Sequence, residues 1–450
     1  MINYKLIAYI LGTLIALLPL GAQGTEDTST RVFDPRFRTL QVSLPGAFMA
    51  PPVISLDGEE QLCISFDELG GKRSYLRYTL VHCDANWQPS RLLDSDILDG
   101  FNEAEVDDYA YSAAVFRPYV NYRICLPNDQ MRPLISGNYL LKVYREDETA
   151  DTPVLQARFS VSEDAVRLTG EATSITDRGT NGEYQQLNFD IDLGQYTVKD
   201  PYTELIVTVE QNGIPVPAAQ PIRPLRMEPR RLIYEHSPGL IYPAGNEYRR
   251  FETVRTDYNG MHIEDSRFET DGYTAILKPD SERATRPYVF DSTQHGRFKI
   301  DEWNGSDPDL SADYIWTEFT LDFPRIMNGD VVIDGEFTEA LPLAEKRMDW
   351  DPDRSLYTKR ILLKQGSYNY RYAALPTGRP SSPGSPSTGT SSPRDGYGSE
   401  ATAEAPRSAL DASPIEGNHY ETRNEYTIRV YHRPFGSRYD HLIATASIVP

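Results

Sequence analysis

The sequence is poor in cysteine and in clustered metal ligands. Cys63, Cys83 and Cys125 are its three cysteines, so at least one thiol stands outside any internal disulfide. No CxxC pair and no group of histidines accompanies them, which argues against a zinc-type site. No Walker loop, GxSxG, HExxH or Rossmann fingerprint occurs, so no familiar catalytic motif points to an enzyme. Net positive charge is lacking as well. Lys and Arg number 45 against 66 Asp and Glu, a net charge of −21. Such a chain repels phosphate backbones, which excludes nucleic acid as a partner. After the N-terminal segment, no apolar run reaches the ~18 residues of a membrane-spanning helix. An outer-membrane barrel would need many evenly spaced alternating strands with aromatic girdles. That spacing is absent, and the chain ends in Ile448-Val449-Pro450 rather than an aromatic residue.

Residues 1–22 have the pattern of an export signal. Lys5 gives a positive start, residues 6–20 an apolar run, and Gly21-Ala22 small residues for cleavage. No cysteine follows closely enough to carry a lipid, so the expected product is a soluble periplasmic protein. The 450 residues suggest two to four domains at ~100–200 residues each. Tyr (29), Pro (33) and Gly (30) are frequent, and helical periodicity is scarce, which predicts an all-β fold of consecutive β-sandwich domains.

Residues 76–103, LRYTLVHCDANWQPSRLLDSDILDGFNE, organise the first domain. Leu76, Tyr78, Leu80 and His82 share one strand face, and Arg77, Thr79, Val81 and Cys83 the other. Trp87 follows the strand, where its ring can close one end of a sandwich core. His82 and Cys83 point to opposite faces, so they cannot form a nucleophile–base pair, and His82 reads as structural. The connection 89–118 exceeds the ~12–15 residues of an ordinary loop. Its acids alternate with Leu92, Leu93, Ile97, Leu98 and Phe101, so part of it should pack down. A hairpin joining 62–67 to 75–83 about Gly70-Gly71 would set Cys63 opposite Thr79. Cys83 would then lie beyond the ~7 Å Cα limit for a disulfide with Cys63. Pairing of either with Cys125, or three free thiols, remains open.

The segment VHCDANW, the turn DGFN and then LPNDQMRPLISGNYLLKVY resemble the periplasmic plug protein of the type IX secretion system of Bacteroidetes-type bacteria. The likeness resumes at YPAGNEYRRF, LLKQGSYNYRY and EGNHYETRNEYTIRVYHRPFGSRYDHL and runs from about Phe33 to the C-terminus. It implies a protein with no cofactor and no catalytic residues. Its partner would be a very large outer-membrane β-barrel, whose periplasmic end it occludes while no cargo is engaged. It also implies that the motif residues His82, Asp84, Trp87, Asp99, Gly100 and Phe101 are structural. A C-terminal sorting domain, as carried by cargo of that system, is not matched.

The expected domains are 33–163, 164–303 and 313–450. Residues 376–414, rich in Ser, Pro and Gly, read as a disordered insert in the last. That domain resembles immunoglobulin-like glycogen-binding modules: Gly335-Glu336-Phe337 keeps their turn, and GSYNYRY keeps their G-x-Y-x-Y strand. Glu339-Ala340 and Leu356-Tyr357 stand where those modules place sugar-stacking Trp rings. A periplasmic glucan-binding accessory protein is therefore the alternative reading. Asp349-x-Asp351-x-Asp353 imitates a calcium loop, but Arg354 and Arg360 occupy its sixth and twelfth positions, which suits a polar turn. Near the C-terminus, HRPFGSRY combines aromatic and Arg residues with turn formers. Residue types enriched in interface hot spots make Arg433, Phe435, Arg438 and Tyr439 the candidate partner contacts. The free protein is expected to be monomeric.

Overall fold

The computed structural model describes residues 27–179, 182–218, 220–304, 307–376 and 406–450. The export signal at 1–22 and the central part of the 376–414 insert lie outside these residues.

The chain forms three β-sandwiches. In the first, one sheet runs Arg31–Val32, Leu155–Ser162, Gly137–Arg145, Leu76–Cys83 and Ala104–Glu105, with Val53–Ser55 also on Leu155–Ser162. The other runs Phe37–Ser43, Leu62–Leu69, Tyr119–Leu126 and Tyr109–Tyr111. Alternation explains the packing. Leu62, Ile64 and Phe66 point inward from one sheet, and Leu76, Tyr78 and Leu80 from the other. Strands Leu62–Leu69 and Leu76–Cys83 are therefore not a hairpin, contrary to the sequence expectation. The chain crosses between sheets at Gly70 and Gly71, both at positive φ, because each strand must bury an apolar face against the other. Cys63 then stands opposite Cys125, and the two are disulfide-bonded. Cys83 lies in the other sheet as a buried thiol.

The second sandwich departs from the expected 164–303 boundary. Its first sheet is Arg167–Thr173, Tyr184–Asp192, Arg231–Tyr234 and Arg226–Glu228, with Ile241–Pro243. Its second is Ile214–Pro215, Leu205–Gln211, Tyr426–His432 and His441–Ile448. The last two strands of the chain thus belong here, not with the third domain. Every residue of Tyr426–His432 is buried, as suits a central strand flanked on both edges. Its Tyr426, Ile428 and Val430 pack with Leu187, Phe189, Ile191 and Val209.

The third sandwich spans residues 249–416. One sheet joins Arg249–Glu252, Gly366–Pro376 and Phe298–Ile300, with Gly329–Asp334. The other joins Ile263–Glu269, Gly272–Leu277, Tyr314–Asp322, Leu356–Lys364 and Asp349–Asp351. Tyr368 stacks between Phe251 and Phe298 at centroid distances of 5.0 and 5.5 Å. The tyrosines of the G-x-Y-x-Y strand are therefore core residues. Tyr357 is buried too, and Glu339 is held by Arg407 at 3.0 Å, so neither position offers a sugar platform. The far end of the insert is ordered where described. Ala374 N donates to Asp411 O at 2.7 Å, and Leu410 packs beside Val332 and Leu375.

Candidate partner interface

Two stretches more than 330 residues apart in sequence meet at one end of the first sandwich. They are residues 82–102 and the turn 433–440 that joins the two C-terminal strands. Asp84 begins the junction. Its Oδ1 accepts from Asn86 N (2.8 Å) and Gln88 N (2.9 Å), which fixes the turn in which Trp87 takes a positive φ. Next to it, Ala85 N donates to Asp440 Oδ2 at 2.9 Å. Asn138 ties the first stretch to the strand that leads into the turn: its Nδ2 donates to Asp84 O (2.8 Å), and its Oδ1 accepts from Tyr431 OH (2.9 Å).

His82 is buried beneath this contact. Its Nε2 lies 3.1 Å from Ser136 O, and its ring meets Tyr139 and Tyr439 edge-on at 5.2 and 5.6 Å. Burial pushes the imidazole below its ordinary pKa, so the ring is neutral near pH 7. Gly137 beside it has no room for a Cβ, which would strike the His82 ring. Tyr439 packs in turn on His441 at 4.0 Å, and His441 Nδ1 lies 2.9 Å from Glu163. Burial works against the charge of Glu163, but hydrogen bonds from His441 and Ser136 hold its carboxyl below the ordinary value.

The acidic loop joins from the other side. Asn102 imitates a strand neighbour, accepting from Leu80 N and donating to Leu80 O, both at 2.8 Å. Its Nδ2 also reaches Asp94 at 2.9 Å. Gly100 has φ +109 and faces Met131 in a short ribbon with Asp99 opposite Arg132. A Cβ on Gly100 would collide with Gln130 O, so glycine is required. Arg438 of the C-terminal turn pairs with Asp96 at 3.2 Å, and Arg433 with Asp440 at 2.8 Å.

Among these charged ties, apolar side chains also reach solvent. Phe435 is 100% exposed and Phe101 86%, with Leu93 and Leu134 exposed on the elements beside them. Phe101 is therefore not a packing residue, unlike its neighbours Ile97 and Leu98, which are buried. Trp87 also departs from expectation. Its ring does not close the core but lies under the Arg158 guanidinium at 4.4 Å, lining a cavity of about 130 Å³ where the three sandwiches meet. Of the candidate contacts, Arg433 and Arg438 serve ion pairs, Tyr439 is half-buried against His82, and Phe435 alone is wholly free. Sequence reasoning missed Asn102, Asn138 and Asp440. Asn102 lies inside the DGFN turn already singled out, whereas Asp440 carries no signal short of the tertiary contact.

Among the described residues, no group of three or more His, Cys, Asp or Glu is placed to hold a metal ion. No helix among them is long and apolar enough to cross a membrane.

A family model, "Type 9 secretion system plug protein 1st domain", matches residues 37–163, which is the first sandwich. The first sandwich is the first domain of a type 9 secretion system plug protein. It is also similar along its length to a crystal structure of a hypothetical protein from Parabacteroides merdae. The identity is 35%, and the alignment covers 94% of this chain and 99% of that one, with a TM-score of 0.83. Comparison with curated proteins gives no match. That domain gives the chain a role in type IX secretion.

Proposed function

We propose that this protein is a non-catalytic periplasmic plug. It occludes the periplasmic end of the large outer-membrane barrel through which the type IX system exports folded cargo. A pore that passes folded proteins leaks unless closed, and closure needs a body that docks without rearranging. The observation that carries this reading is the pair of exposed rings, Phe101 and Phe435, held on turns that are fastened to buried anchors. Rings presented by pre-ordered turns lose little conformational entropy on docking. The arginines beside Phe435 supply a polar rim, which suits an interface that must also release. A seal against leakage calls for a contact larger than the ~1,600 Å² of a standard complex.

The test is co-purification. A C-terminally tagged chain is expressed in its native host, outer membranes are solubilised in mild detergent, and retained proteins are identified. The expected result is a very large barrel protein at near-equal stoichiometry. Retention of soluble proteins or polysaccharide without any barrel would overturn the reading.

A further inference from the structure

The second sandwich carries a basic hairpin at one end. Strand Arg226–Glu228 is the outer strand of its sheet and pairs only with Arg231–Tyr234, across the two-residue tip Pro229-Arg230. The inner strand is anchored, because Leu232 and Tyr234 lie in the core. Leu225 N donates to Ile233 O at 2.8 Å and holds the outer strand down. All three residues of that outer strand are nevertheless exposed.

Its charge runs against that of the chain. Residues 223–231 hold Arg223, Arg226, Arg230 and Arg231 against one acid, Glu228, in a protein of net charge −21. Arg226 lies 3.7 Å from Glu228, and Arg231 pairs with Asp190. Arg223 and Arg230 are exposed and have no ion-pair partner among the described residues. Two apolar side chains stand between these guanidiniums: Leu225 is 58% exposed and Met227 48%. Exposed charges act over a Debye length of ~8–10 Å, so an approaching anion meets the arginines rather than the net charge of the whole chain.

The occupant must be anionic, with an apolar layer within reach of Leu225 and Met227. An added peptide strand does not suit this edge, which is three residues long with Pro224 and Pro229 near its two ends. A strand exposed throughout gives no walls to enclose a small anion. An anionic bilayer meets both demands, with phosphates for the arginines and an acyl boundary for the two apolar side chains.

The topology gives the hairpin a direction. Asp192 lies opposite Arg231, and Leu193 N donates to Arg230 O at 2.8 Å, so the tip sits where strand Tyr184–Asp192 ends. From there Tyr196 turns back, its N donating to Leu193 O at 2.7 Å, and its OH lies 2.8 Å from His432 Nδ1. His432 leads directly into the Phe435 turn, so that turn and the basic tip leave the second sandwich at the same end. We propose that hairpin 223–231 rests on the anionic phospholipid headgroups of a bilayer, with Leu225 and Met227 inserted at their boundary with the acyl chains. The choice of a bilayer rests on the plug reading, since Phe435 docked at the mouth of a membrane barrel brings this end of the molecule to the surrounding lipid.

The experiment is flotation of the purified full chain with vesicles of phosphatidylcholine alone and of equal parts phosphatidylcholine and phosphatidylglycerol. The chain should float with the anionic vesicles only, and raising the salt should release it. Arg223→Glu/Arg230→Glu should lower its partition onto those vesicles by about tenfold or more. Leu225→Ser/Met227→Ser should lower it several-fold. Arg267→Glu/Lys278→Glu, the same charge change on the third sandwich, should leave it unchanged. Should the hairpin reversals lower the melting temperature, Arg223→Gln/Arg230→Gln gives the same reading. Equal binding to both vesicles, or binding to neither, would overturn the proposal. So would binding that survives the arginine substitutions, or retention on poly-glutamate without flotation, which would assign the hairpin to an acidic protein. The vesicles hold no barrel, so a negative result removes the lipid contact alone, and the plug role is decided by co-purification.

Discussion

Lys364 Nζ lies 2.8 Å from Asp67 Oδ2, and each side chain is 1% exposed. The pair joins the third sandwich to the first. Tyr314 OH (2.7 Å) and Asn121 Nδ2 (2.8 Å) complete the carboxylate's partners, and the Tyr119 ring faces the ammonium at 4.1 Å. Removing one member leaves a buried charge uncompensated, which typically costs ~3–5 kcal/mol. Lys364→Met should therefore lower stability by about that amount in urea unfolding. Adding Asp67→Asn should recover part of the loss. A single substitution with no measurable effect would show that the two sandwiches do not dock through this pair.

The exposed rings and their anchors should separate in two assays. Phe101→Ala and Phe435→Ala lie at the surface, so each should change stability by less than about 0.5 kcal/mol. Both should reduce recovery of the barrel partner on co-purification. Asn138→Ala should do the reverse in origin, lowering stability by ~1–3 kcal/mol through the unpaired groups it leaves. Thermal melts of the purified variants, read beside their barrel yields, distinguish the two classes.

The buried histidines should cost the fold stability in acid, against an opposite contribution from Glu336, whose carboxyl is pushed up to about 7 by burial. Burial depresses the pKa of His82 and also of His295. In the unfolded chain these rings take up protons near ~6.5, while in the folded chain they resist until lower pH. At these rings the unfolded state then binds more protons, so their contribution to stability falls as pH drops below ~6.5 through the folded values. His82→Phe should flatten the part of this slope that His82 contributes. A pH slope of the melting temperature between ~5 and ~7 that His82→Phe leaves unchanged would contradict the burial of that ring.

The cysteines give a direct chemical check. Cys63 and Cys125 are bridged across 62 residues, and Cys83 is a buried thiol. A thiol reagent should therefore find none in the native protein and one after denaturation. Reduction before denaturation should raise that count to all three cysteines of the sequence. It should also lower stability by ~2–4 kcal/mol.

Much of the local structure was legible in the sequence, because alternation reports directly on a half-buried strand. Leu62, Ile64 and Phe66, or Leu76, Tyr78 and Leu80, give strand type and inward face at once. Alternation does not name the partner strand. Gly70-Gly71 reads as a hairpin turn whether the chain doubles back within a sheet or crosses to the other one. Tyr426–His432 pairs with Leu205–Gln211, and nothing local to either segment records that. The boundary between the second and third sandwiches was misplaced for this reason. At the candidate interface, residue type singled out Phe435, and the family resemblance singled out the DGFN turn. The burial of His82 under Tyr439 and the tie from Ala85 to Asp440 exist only in the folded chain.

The central claim is occlusion, and conductance measures it most directly. The purified barrel would be reconstituted in a planar bilayer and this protein added to its periplasmic side. The account predicts that a large, steady conductance closes on addition and that Phe101→Ala/Phe435→Ala protein closes it less well. An open pore whose conductance is unchanged by saturating wild-type protein would contradict it.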